Sequence, residues 1–178
     1  MNLGWFLSVV MSITPGNFYV PDGAFHSALS GGVADSLTIS LATPANPYGI
    51  GSPIIVEMVL KNGTKSPVRL NVEGVPHSEY YGYRFTLTKD QKIIPKTNFH
   101  KALGHEDNVT DPEVPMGGSS DVYLMPPGAS TKIPIDLKRL FNITELGDYE
   151  FSVEMLRTVD SKTPIYGGPV LVRIVQGP

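Results

Sequence analysis

The sequence predicts an all-β protein, a sandwich of two antiparallel sheets with about eight or nine strands. Three observations carry that expectation. From Leu37 to Ile174, apolar residues alternate with polar ones in short runs, the period of a half-buried strand. Turn formers punctuate those runs, with 18 glycines and 16 prolines in 178 residues. Neither a long helical pattern nor an internal repeat is visible.

Each strand can be argued in turn. Leu37, Ile39 and Leu41 alternate with Thr38 and Ser40. The stretch TPANPYGIGSP then reads as irregular, because its three prolines and two glycines oppose a regular backbone. Ile54, Val56, Met58 and Leu60 share the next apolar face, and Asn62-Gly63 reads as a turn that tolerates positive φ. Val68, Leu70 and Val72 form a short strand. Tyr81, Tyr83, Phe85 and Leu87 line another, turning at Lys89-Asp90-Gln91-Lys92 into a hairpin with Ile93-Ile94. A polar connection from Pro95 to Ser119 follows, long enough to be functional or unstructured.

Val122 to Met125 leads through the turn Pro126-Pro127-Gly128 into Thr131–Leu137, with Ile133 and Ile135 facing inward. Asp136 to Phe141 suits one helical turn. Tyr149, Phe151, Val153 and Met155 define the penultimate strand. After a Gly167-Gly168-Pro169 break, Val170, Val172 and Ile174 define the last.

Leu146-Gly147-Asp148-Tyr149 matches a Greek-key corner, where a tyrosine hydroxyl bonds back to upstream backbone. Gly128, Gly147 and Tyr149 are accordingly the structural residues expected at the turns. The run from Met125 to Tyr149 contains L-x-P-P-G-x-S, then I-D-L, L-F-x-I and L-G-D-Y-x-F. It resembles immunoglobulin-like Greek-key domains of bacterial envelope proteins. It is also similar to the non-catalytic sandwich of deuterolysin-type zinc endopeptidases and to the bacterial intracellular proteinase-inhibitor domain. The resemblance spans roughly Leu37 to Val175 and implies a scaffold. It places no catalytic residue in the matching stretch.

Composition narrows the chemistry. With no cysteine, disulfides, thiolate metal sites and cysteine nucleophiles are excluded together. The net charge of -3, with 14 Lys+Arg and no basic run, argues against a nucleic-acid face. Leu3–Met11 is apolar over nine residues, too short to span a bilayer as a helix. It reads as the core of a secretory signal, although no Lys or Arg precedes it; an extra strand is the alternative. Residues 1–35 are thus expected to be a signal-like or flexible arm, and residues 36–178 the sandwich. Export to the periplasm or exterior is the expectation, a cytoplasmic location the alternative.

His100, His105, Glu106 and Asp107 form the one concentrated titratable group, and His77 joins them if its loop lies at the same end. Imidazole and carboxylate ligate divalent ions when they converge, but this spacing does not force convergence and is not H-E-x-x-H. No metal site is therefore assigned, and a solvated loop is expected. No G-x-S-x-G elbow exists, and the paired glycines sit beside strands rather than opening helices. Tyr80-Tyr81-x-Tyr83 is the densest aromatic patch, with Tyr80 pointing away from the face shared by Tyr81 and Tyr83 or lying in a loop. Asn62, Asn108 and Asn142 each begin a glycosylation sequon, read as chance in a bacterial chain.

The expectation is a non-enzymatic accessory or interaction module without cofactor, recognising a protein partner through loops 73–80, 95–119 and 157–168. Tyr80, His100, His105, Glu106 and Asp107 are the candidate binding residues. A monomer or weak dimer is expected, with neither a nucleic-acid partner nor a stable membrane span. The alternatives are a proteinase inhibitor inserting a loop into a protease cleft, or a metal- or ligand-binding domain using residues 100–107.

Overall fold

The computed structural model describes residues 36–73, 80–114, 120–155 and 163–177. The expected arm at 1–35, His77, and residues 74–79, 115–119 and 157–162 of the three expected loops lie outside them. Among the described residues, ten strands form three sheets. β1 (Leu37–Ala42), β3 (Ile55–Asn62) and β8 (Ser130–Asp136) make an antiparallel sheet in the order β1-β3-β8. β2 (Tyr48–Gly49), β10 (Ile165–Val175), β9 (Gly147–Met155), β5 (Tyr83–Lys89) and β6 (Lys92–Ile93) make a five-stranded sheet in that order. β4 (Val68–Glu73) pairs with β7 (Ser120–Met125).

Alternation explains which face each strand buries. In β9, Tyr149, Phe151, Val153 and Met155 point inward, while Asp148 and Glu150 face solvent. In β3, Val56, Met58 and Leu60 do the same. The two larger sheets thus meet across one core, closed at one end by Leu137 and Leu140 of α2 (Leu137–Leu140). Removing a side chain such as Phe151 from water is worth roughly 2–3 kcal/mol.

The stretch after β1 is not wholly irregular. Tyr48 and Gly49 pair in parallel with Ile174 and Val175 of β10, and the Tyr48 hydroxyl donates to the Ile55 carbonyl. The final strand also runs unbroken from Ile165 through the glycines, as a bulge between Gly167 and Val170. Close approach to β1 and β9 explains the glycines. A Cβ on Gly167 would lie 2.3 Å from Ile39 Cγ2, and one on Gly168 would lie 2.8 Å from the Phe151 carbonyl oxygen.

Asn62-Gly63 is not the expected positive-φ turn, since neither residue has positive φ. β3 runs on into β4, and β7 into β8, so the two pairs form one long ribbon interrupted in the middle. Asn62 joins the halves. Its Nδ2 donates to the carbonyls of Ser66, Met125 and Pro126 at 3.0, 2.9 and 3.1 Å, and its Oδ1 accepts from Thr64. Buried completely, its amide is not available as a glycan acceptor in the folded chain.

The segment expected to be a solvated polar loop folds. Thr97 caps α1 (Asn98–Leu103) by accepting from the His100 N–H at 3.1 Å, and a 3-10 turn follows at Glu106–Asn108. Phe99, Ala102 and Leu103 recur at helical spacing and are buried, as is Val114. Residues 95–114 are therefore a cap over the core. Flanking charges and a length of six residues, with too few turns for a clear period, hide the helix in the sequence.

Candidate functional site

Of the candidate binding residues, Tyr80 and His100 are core residues. Tyr80 is 6% exposed, with its ring edge-on to Phe85 and Phe99. Its neighbours Tyr81 and Tyr83 are only half-buried, which reverses the facing expected of this patch. Tyr81 precedes the strand, because Gly82, at φ +80, turns the chain before β5 begins. Burial pushes the Tyr83 hydroxyl up to about 12.

His100 is also 6% exposed and sits against Phe85 and Phe141. Its Nδ1 lies 3.1 Å from the Leu140 carbonyl, so the neutral ring carries its proton there. Burial first, then the nearby Lys96 charge, lowers its pKa from 6.5 to about 4. His105 stands apart, exposed and left-handed at φ 51. Glu106 pairs with Lys96. The side chain of Asp107 lies outside the described set. Among the described residues, no three His, Asp or Glu side chains are close enough to hold a metal ion.

The structural residues lie at two turns. Tyr149 donates its hydroxyl to the Glu145 carbonyl at 2.7 Å, four residues upstream. Gly147, at φ +131, leaves room for Lys89, which pairs with Glu145 and lies 5.8 Å over the Tyr149 ring. A shallow hollow of about 290 Å³ beside this corner is lined by Lys89, Lys92, Asn142, Glu145 and Tyr149. Gly128, at φ +74, completes the exposed Pro126-Pro127-Gly128 turn and donates its N–H to the Asn62 carbonyl at 2.7 Å.

Two features were missed in the sequence. One is the Asn62 network described above. The other is the solvent exposure of β7, expected as a strand, whose Val122, Tyr123 and Leu124 are 40%, 45% and 57% exposed. Val122 and Leu124 share the outer ribbon face with Arg69, opposite Leu70 and Tyr123. A usable signal existed, since a strand apolar at three consecutive positions has more apolar surface than one core face can bury.

No helix among the described residues is long and apolar enough to cross a membrane. No protein-family model matches the chain, and no curated protein matches it. Among solved structures, a β-glucosidase from Listeria innocua in complex with glucose aligns at a TM-score of 0.35 and 11% identity, over 79% of this chain. The chain spans 16% of that structure's length.

Proposed function

We propose that this chain is a non-enzymatic interaction module of an exported bacterial protein, built on an immunoglobulin-like Greek-key sandwich. The strand order supports the scaffold reading: β1-β3-β8 faces β2-β10-β9-β5-β6, with β2 parallel to β10 at the sheet edge. The corner hydrogen bond of Tyr149 fits the same reading. The observation that carries the function is the exposed apolar strip of β7, beyond the sheets that enclose the core. Val122 and Leu124, exposed on one face of an ordered strand, supply apolar contact area of the kind that recognition of a protein surface needs.

The test is capture from a bacterial envelope extract by the full chain and by Leu124→Ser and Val122→Ser variants. A partner lost from both variants, with unchanged thermal midpoints, supports the reading. Equal capture by all three overturns the assignment to β7.

A second reading has its own support. The exposed Pro126-Pro127-Gly128 turn is buttressed from beneath by Asn62, and inhibitors depend on such preorganisation. Residual activity of added serine proteases, with wild type and with Pro127→Gly, tests it. Full activity at micromolar chain would exclude inhibition of those enzymes.

A further inference from the structure

The cap over residues 95–114 is joined to the sheets mainly through α2 and the residues after it. Thr97 donates its N–H to the Leu140 carbonyl at 3.0 Å and its hydroxyl to the Arg139 carbonyl at 2.6 Å. Asn142 bonds to the carbonyls of Pro95 and Lys96, and Glu113 pairs with Arg139, which lies 4.2 Å over the Phe99 ring. His100 is at the centre of this junction. Its Nδ1 shares the Leu140 carbonyl with Thr97, and its ring meets Phe141 at 5.0 Å and Phe85 at 6.0 Å.

We propose that His100 is the latch of an acid-released cap: protonating its ring opens residues 95–114 from the aromatic floor while the β-sheets stay folded. A second ring proton would put a charge among Phe85, Phe141 and the carbonyl end of α2. Among the described residues, the charged groups around the ring are few. Lys96 opposes a second cation, and Glu106, already paired with Lys96, favours it. Lys101 lies on α1 itself, and Arg139 of α2 is engaged by Glu113. β5 and β9 present Phe85 and Phe151 inward, with Arg84, Glu150 and Glu154 on the opposite face. The carbonyl of Leu140 favours the charged ring, but α2 is a single turn with little dipole to add. Desolvation outweighs it, and the closed state holds the ring neutral down to about pH 4.

Linkage then sets the response. An opened cap exposes a ring with an ordinary value near 6.5, so opening is favoured as pH falls from 6.5 to about 4. Its equilibrium constant rises about tenfold per pH unit across that window. Hydrogen exchange by mass spectrometry on the full chain, corrected for intrinsic rates, reads this directly. Peptides covering 97–103 are expected to gain opening tenfold per unit, with β5 and β9 peptides unchanged. His100→Asn keeps a neutral donor near Nδ1 and is expected to abolish the slope. Lys96→Met, which leaves the core intact, is expected to raise the pH at which the slope begins to saturate, and serves if His100→Asn does not fold. A cap that opens independently of pH overturns the proposal. So does an acid slope unchanged in both variants, or β9 amides exchanging in step with the cap.

Discussion

The side-chain amide of Asn62 donates to the carbonyl of Met125 across 63 residues of sequence, at 2.9 Å and with both residues fully buried. Two further carbonyls depend on the same nitrogen. One side chain therefore replaces the ladder bonds that the interrupted ribbon lacks between the β3–β8 and β4–β7 pairs.

Asn62→Ala is expected to destabilise the chain by about 3 kcal/mol, since an unmet buried polar group costs roughly 1–3 kcal/mol and relaxation restores some partners. Asn62→Asp should cost at least as much, because a carboxylate cannot donate to three carbonyls. Urea unfolding measures both, and a loss below about 0.5 kcal/mol would show that water substitutes for the amide.

Tyr149→Phe removes the 2.7 Å bond to Glu145 while leaving the ring in place. The expected cost is about 1 kcal/mol, the net value of a hydrogen bond of this kind. Thermal denaturation of the pair checks it, and an unchanged midpoint would show that the corner is held by packing alone.

Gly167→Ala and Gly168→Ala are each expected to cost about 1–3 kcal/mol through overpacking, but they should respond differently to a second change. The Gly167 clash is with the Ile39 side chain, so Ile39→Ala should relieve part of it, seen as coupling in a double-mutant cycle. The Gly168 clash includes the Phe151 carbonyl, and its φ of +90 disfavours any side chain, so no rescue is expected. Equal rescue of both would contradict this geometry.

Tyr83 makes stability fall at high pH. Its hydroxyl, raised to about 12, stays neutral in the folded chain while the unfolded chain ionises near 10. The contribution is therefore complete below pH 10 and lost as pH rises towards 12. Denaturant midpoints between pH 9 and 11 should fall less steeply in Tyr83→Phe than in wild type; parallel curves would refute the assignment.

Much of the fold was legible because a strand writes its buried face into every second residue. Phe151, Val153 and Met155 need no tertiary information to be placed on one face, and Leu146-Gly147-Asp148-Tyr149 identifies its own corner. The candidate site was less legible. His100 and Tyr80 look like polar loop residues in sequence, yet Phe85, Phe99 and Phe141 surround them only after distant segments meet. Asn62-Gly63 carries the local signature of a turn, and burial at the ribbon junction overrode that preference.

The sequence by itself determined the all-β class, the positions of most strands and their inward faces, since periodicity and turn chemistry are local. Tertiary structure alone decided three things. It made Asn62 a clamp, His100 a buried base and β7 an exposed apolar strand. In each case the physical reason is the same: solvation, and with it hydrogen bonding and charge, depends on which remote residues cover a group, and no local pattern records that.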